Sequence, residues 1–255
     1  MRPEGAGAVM AGRAPLVIEG DDERTALFRK LEFFPTPPWA ARAGAALIQS
    51  LDPGDWWAWD PACGEGHMAH GLGEEFGRVF ATDIHAHEGG FQHGEPLDFL
   101  SDAADVFTEA DWVVTNPPFG PAAAFVEMGL RRAKRGVAIL ARSTWYETIG
   151  RYPLFFGGET PLTVHAPFFE RVPMVLGRWD PSASSATAYS WFLFMKDHVL
   201  PEPVRALRQA IPAANIGMAI PPGAKLRFSR PGDIRRFARP SQAPLFENLE
   251  GEAGC

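Results

Sequence analysis

The sequence predicts an α/β fold built on a mostly parallel sheet, and three observations carry that prediction. Short apolar runs alternate with helical stretches from residue 37 onward, as βαβ units require. Three of those runs stop abruptly at an Asp or Asn, the pattern of buried parallel strands whose carboxyl ends face a cleft. The last apolar run, Tyr189 to Met195, is too hydrophobic for an exposed edge and is expected inside the sheet, antiparallel to its neighbour.

Residues up to about Arg29 are Gly- and Ala-rich, then charged, and read as a flexible lead-in (1–29). Pro37 to Ser50 reads as a helix, with proline at its start and Ala41, Ala45, Leu47 and Ile48 on one face. Asp52-Pro53-Gly54-Asp55 is a turn signal. Trp56 to Asp60 is the first strand, His67 to Phe76 a helix, Arg78 to Thr82 the second strand, and Asp111 to Thr115 the third. A helix over Ala122 to Arg135 and a strand over Gly136 to Ala141 follow. Leu162 to His165, Val172 to Leu176 and Tyr189 to Met195 are expected strands without full helices between them, which closes a catalytic domain at 30–200. Residues 201–255 read as an extension: a short helix near Val204 to Ala210, a basic arm, and an acidic, disordered end from Glu247.

Composition narrows the classes. Apolar residues make up 46% of 255, enough for a substantial core, yet no apolar stretch is long enough to cross a membrane. Met1 to Ala14 has no apolar core of signal-peptide length. Two cysteines, Cys63 and Cys255, cannot frame a disulfide scaffold or a zinc site, so a reducing, cytoplasmic setting is expected, with no metal. The net charge of −7 is uneven: Pro201 to Pro240 holds eight basic and two acidic residues, a local +6 that leaves −13 elsewhere. Such an arm can hold phosphates, or be a solvated tail.

Three strand ends carry chemistry. Asp60-Pro61-Ala62-Cys63-Gly64-Glu65-Gly66 brings glycine backbone to the start of a helix, where a ligand can approach closely. It lacks the third glycine of a dinucleotide fingerprint. Asp83, one strand later, can accept from both hydroxyls of a ribose, with Ile84 flanking a base. Asn116-Pro117-Pro118-Phe119 places an amide oxygen and proline carbonyls without competing N–H donors beside an aromatic ring, a device for holding an amino group on a flat acceptor.

Together these residues resemble the class I S-adenosylmethionine-dependent amino-methyltransferases, most closely the DNA adenine-N6 methyltransferases. Asp60-Pro61-Ala62-Cys63-Gly64-Glu65-Gly66 is similar to the family's Asp-Pro-x-x-Gly-x-Gly cofactor motif, and Asn116 to Phe119 to its catalytic motif. Phe34-Pro35-Thr36-Pro37 resembles its Phe-x-Thr-Pro element, which touches the methionine end of the cofactor, and this order resembles the gamma arrangement. Asp98-Phe99-Leu100 resembles the segment that holds the cofactor's adenine, with Asp98 on its amino group and Phe99 near the ring. The likeness covers about Phe33 to Met195. It implies a Rossmann-like class I methyltransferase sheet of seven strands with one antiparallel strand and helices on both faces, S-adenosylmethionine as cofactor, and an adenine-specific DNA methyltransferase that flips its target base.

Substrate contacts are expected after the sheet strands, with Trp145, Phe168, Phe169 and Arg171 as candidates and Phe168–Phe169 as a pocket wall; singly, each such residue also fits a core aromatic or a solvated arginine. Arg131, Arg132, Lys134 and Arg135 are expected to complement a helix dipole. His85, His87 and His93 are a weak metal signal, and Ser143 and Ser190 lack a matching His and acid. Gamma-type enzymes usually carry a large recognition domain after the catalytic one, whereas sixty residues follow Met195 here; a short target read by loops between Arg142 and Ser185, or help from dimerisation or another chain, is expected. Methylation of RNA bases or of a protein glutamine amide, and a catalytically silent cofactor- or nucleic-acid-binding module, remain the alternatives.

Overall fold

The element order begins with a helix where the sequence suggested a lead-in. In the computed structural model, which describes residues 22–87, 90–106 and 109–239, α1 spans Glu23–Leu31. Its start is fixed by Asp22, whose carboxylate accepts the Thr25 N–H at 2.7 Å, and its end by Glu32 in the left-handed conformation at φ 49°. The rest of the predicted lead-in, and the acidic end from Glu247, lie outside the described residues.

The chain then runs α2 (Pro38–Leu51), β1 (Trp57–Asp60), α3 (His67–Leu72), β2 (Arg78–Ala81), β3 (Trp112–Thr115), α4 (Ala122–Arg132), β4 (Gly136–Arg142), α5 (Tyr152–Phe156), β5 (Val164–Pro167), β6 (Tyr189–Met195), α6 (Glu202–Ala210), β7 (Ile216–Gly217), α7 (Ala224–Phe228) and α8 (Pro231–Phe237). The seven strands form one sheet in the order β2-β1-β3-β4-β6-β5-β7. β6 runs antiparallel to both β4 and β5, and every other pairing is parallel. The fold is therefore the expected Rossmann-like one, a mostly parallel seven-stranded sheet with a single antiparallel strand and helices on both faces.

Alternating side chains of the central strands feed two cores. Trp112, Val114, Ala138, Leu140, Trp191 and Leu193 pack with α2, α3 and α7 on one face. Val113, Val137, Ile139, Phe192 and Phe194 pack with α4 and α5 on the other. Burying a ring such as Phe192 or Phe194 completely stabilises by roughly 1.5–3 kcal/mol, and both have no exposed surface.

Three expectations are corrected. Val172 to Leu176 is not a strand: Pro173 removes a ladder donor, and the segment makes only an isolated bridge between Val175 and Arg178, while Val172 and Met174 are buried. The seventh strand is instead β7, which extends the sheet beside β5. The helix over 122–135 stops at Arg132, because Ala133 is extended. Of the expected dipole cluster, Arg131 and Arg132 lie in the last turn of α4, whereas Lys134 and Arg135 fall beyond it. Arg132 is buried and bonds the Phe99 and Ser101 carbonyls and Asp105, Arg135 reaches Asp52 at 2.6 Å, and Lys134 pairs with Glu109 at 2.8 Å.

The basic stretch after residue 200 is likewise part of the fold up to residue 239. Arg208 bonds the carbonyls of Pro161, Leu162 and Ala214. Asp233 of α8 and Glu74 close on the fully buried Arg42 of α2, with Asp233 accepting from it at 2.7 and 2.9 Å. Arg230 pairs with Glu74 and Arg239 with Glu65. Three of the eight basic residues of the expected arm, Arg208, Arg230 and Arg239, are thus tied to the body of the protein.

Candidate active site

β2, β1 and β3 are neighbours in the sheet, so their carboxyl ends deliver three polar segments to one cleft. The chain proceeds from β1 outward to β2 and then returns to the other side of β1 as β3. This is the reversal at which open α/β sheets form a crevice.

The loop after β1 is pinned by its neighbour. Thr82 N–H donates to the Asp60 carbonyl at 2.9 Å and Cys63 N–H to the Thr82 carbonyl at 3.0 Å. Gly64 and Gly66 have φ of +52° and +83°, a backbone region that favours glycine. A Cβ on Gly64 would lie 2.3 Å from the Phe33 ring, and one on Gly66 2.1 Å from Phe91. The close approach that these glycines permit is therefore made, in this structure, by two aromatic rings.

Asp83 is nearly buried, and its oxygens accept from Gly64 N–H at 2.8 Å and His85 N–H at 2.9 Å. A carboxylate has about four lone-pair directions, so two backbone donors orient it without exhausting it. His87 lies 3.6 Å away and packs on Phe33. Asp60 is fully buried, and burial pushes its carboxyl up to about 7 against the opposing Thr115 hydroxyl and Ala62 N–H. His67, at the start of α3, is buried with neither ring nitrogen hydrogen-bonded; burial pulls it down to about 3, so it is neutral.

Asn116 follows β3. Its side-chain NH₂ donates to the Phe34 carbonyl at 3.0 Å and to Thr36 Oγ1 at 3.1 Å, with Met174 Sδ at 3.8 Å. A carbonyl can only accept, so the nitrogen must face Phe34 and the amide cannot be flipped. Asn116 Oδ1 is then the free end: it is buried and has no partner. A buried acceptor without a donor costs about 1–3 kcal/mol, unless a ligand supplies one. Downstream, Gly120 N–H donates to Glu32 at 3.0 Å, so the residues around α1's end hold the Asn116 loop at both ends.

These groups surround a cavity of about 380 Å³. Phe34, Thr36, Pro61, Ala62, Asp83, Ile84, Asp98, Phe99, Asn116 and Pro118 reach its wall. Asp60, Gly64, Gly66, Pro37, Pro117 and Phe119 stand behind or beside it. Phe119 packs against Phe34 at 5.4 Å, and Pro37 is the N-cap residue before α2. Phe99 is almost wholly buried between Trp59 and Phe125, so it backs the wall more than it projects from it.

The expected substrate residues are not brought together. Trp145 is a core residue packed on Phe155 and Phe192, and Phe168 is buried edge-on against Trp39. Phe169 is 65% exposed, so the two phenylalanines point apart and form no wall. Arg171 is exposed. Residues the sequence did not single out include His67 and Leu97 on the wall, beside Cys63 of the glycine motif, and Glu32 and Met174, which position Asn116 and its loop. Of the missed residues His67 carried a signal, by directly following the glycine motif. Among the described residues no group of three or more His, Cys, Asp or Glu could hold a metal, and no helix is long and apolar enough to cross a membrane.

No protein-family model and no curated protein sequence matches the chain. Solved structures do. The modification subunit of a candidate type I restriction enzyme from Vibrio vulnificus matches at 16% identity and a TM-score of 0.44, over 66% of this chain and 45% of its own. A candidate RNA methyltransferase from Pyrococcus horikoshii matches at 16% identity and 0.48, over 68% and 96%. The methyltransferase subunit of a type I restriction-modification system from Streptococcus thermophilus matches at 12% identity and 0.42, over 64% and 44%. The match spans less than half the length of either restriction-modification subunit.

Proposed function

We propose that the chain is an S-adenosylmethionine-dependent methyltransferase acting on an exocyclic amino group of a planar base, with adenine N6 in DNA as substrate. The observation that carries the reading is that Asn116, a residue of the cavity wall, has its Oδ1 buried, fixed in orientation and without a donor. An acceptor so placed is suited to one hydrogen of an NH₂ group.

The cavity residues fit the cofactor. The volume of about 380 Å³ lies within the roughly 300–1,000 Å³ typical of small-molecule sites. Asp83, held by Gly64 and His85 and facing the cavity, retains capacity for a vicinal diol. Asp98 and Ile84, which line the cavity, are the proposed contacts of the cofactor's base, and Phe34, Thr36 and Ala62, which also line it, those of its other end. When bound, S-adenosylmethionine supplies an electrophilic methyl group.

The chain's own residues prepare the acceptor. The lone pair of an aromatic amine is delocalised into its ring, so the nitrogen is a weak nucleophile. Asn116 Oδ1 and the Pro117 carbonyl accept its two hydrogens, draw the nitrogen toward tetrahedral geometry and localise that lone pair. Phe119 stacks on the ring and fixes its plane. No strong base is required, because the N–H becomes acidic only on methylation. Acceptors already aligned before the reaction cost nothing to reorganise.

The test is product identification. The purified protein is incubated with tritium-labelled S-adenosylmethionine and, separately, unmethylated DNA, total RNA and a protein extract, and the labelled product is identified after digestion. N6-methyladenine from DNA is the expected result. Label confined to RNA or to a glutamine amide overturns the substrate, and no label in any fraction, with cofactor still bound, overturns the enzyme.

A further inference from the structure

Arg142 is the last residue of β4, the strand next to β3, and its guanidinium carbon lies 4.1 Å from the centroid of the Phe119 ring. The side chain is exposed, and among the described residues no carboxylate pairs with it. The Tyr189 hydroxyl, opposite it in the β4–β6 ladder, accepts a hydrogen bond from it. Arg132, behind Phe99, is held differently: acids and carbonyls take its nitrogens, whereas Arg142 meets a ring and a neutral hydroxyl. A guanidinium is flat and covers an aromatic face much as a base does.

We propose that Arg142 is the specificity-determining placeholder of the acceptor pocket. It covers the Phe119 face that a planar base takes, leaves when the base enters, and then contacts the phosphodiester next to that base. The proposal rests on the reading of Phe119 as the acceptor's stacking partner, and it names the acceptor class: a base attached to a phosphodiester chain, not a free nucleoside or a protein amide. A base stacks on an aromatic ring more strongly than an exposed guanidinium does, so the exchange is downhill. The displaced cation is then beside the one strongly anionic part of a nucleotide, which a planar fork matches in two hydrogen bonds.

The experiment compares wild type, Arg142→Ala and Arg142→Lys. Methyl transfer is followed on free adenosine and on a single-stranded oligodeoxynucleotide, and oligonucleotide binding is followed by 2-aminopurine fluorescence across a salt series. Loss of one phosphate contact lowers the slope of log affinity against log salt by about 0.7–1. Arg142→Ala is expected to show that loss, a roughly tenfold rise in oligonucleotide KM, and an unchanged or lower KM for adenosine. Arg142→Lys keeps the charge but not the flat fork, and is expected to retain the salt slope while sharing the adenosine behaviour. An unchanged slope in Arg142→Ala, or an equal KM change on adenosine and oligonucleotide, overturns the placeholder while wild-type methylation of the oligonucleotide leaves the functional reading standing. A wild type that neither binds nor methylates the oligonucleotide overturns both.

Discussion

Arg42 and Asn116 are both polar side chains taken out of water, and their surroundings differ in one respect. Every nitrogen of Arg42 has an acceptor: Glu74 takes Nε, Asp233 takes both terminal nitrogens, and the Phe228 carbonyl takes one of them as well. Asn116 has its nitrogen held twice and its oxygen not at all. The first cluster is complete in the protein alone and joins α2 to α8. The second is complete only with a donor from outside. Arg42 is thus read as part of what holds the fold, and Asn116 as part of what the fold holds ready.

The largest effect expected from breaking this contrast is on catalysis. Asn116→Ala removes the unpaired acceptor, and methyl transfer is expected to fall roughly 10²–10³-fold, as when a single aligned hydrogen-bonding group is lost from an active site. The melting temperature should hardly move, and the shift induced by S-adenosylmethionine should persist. Activity equal to wild type would remove the mechanism. Asp233→Ala reverses the pattern. It strips the buried Arg42 of its two-pronged partner, and a loss on the order of 3 kcal/mol is expected in urea unfolding, with activity per folded molecule retained.

Gly64→Ala lies between the two clusters in kind. It forces a Cβ into the Phe33 ring and an L-residue into φ +52°, a cost of roughly 1–3 kcal/mol. Adding Phe33→Ala should recover the part due to the clash and leave the part due to the dihedral, and full recovery would show that the dihedral is unstrained. The smallest effect is on the acid limb. Burial alone would raise the Asp233 carboxyl, but the Arg42 side chain and the Arg230 N–H hold it below its usual range. A depressed carboxyl stabilises the folded state above its unfolded pKa, and that stabilisation disappears as pH falls through the lower folded one. Urea midpoints taken from about pH 5 to about pH 2 should therefore fall less steeply in Asp233→Ala than in wild type. Parallel curves would mean that the pair does not titrate with folding.

Local features were legible in the sequence because their meaning is local. β1, β2 and β3 end at Asp60, Ala81 before Asp83, and Thr115 before Asn116, and each end could be read from a few neighbouring residues. β6 was legible because seven consecutive buried residues admit no other place. What failed depends on distant partners. Asp233 meets Arg42 across 191 positions, so the stretch carrying it read as a loose arm. Val172 to Leu176 had strand-like residues, yet Pro173 and the packing of Met174 beneath Asn116 make it a loop. Trp145 and Phe168 are aromatic for the core, and composition alone does not distinguish a core ring from a stacking platform. Glu32 and Arg142 bear on the Asn116 loop only once α1 and β4 have been folded against it.

Glu65, between the two glycines, is claimed from both directions along the chain: Arg24 of α1 lies 4.0 Å from it and Arg239 2.8 Å. A ribosome makes the chain from the amino end, so Arg24 and Glu65 emerge early while Arg239 arrives some 170 residues after Glu65. During most of synthesis Glu65 therefore has one of its two arginine partners, and the second arrives with the segment that follows α8.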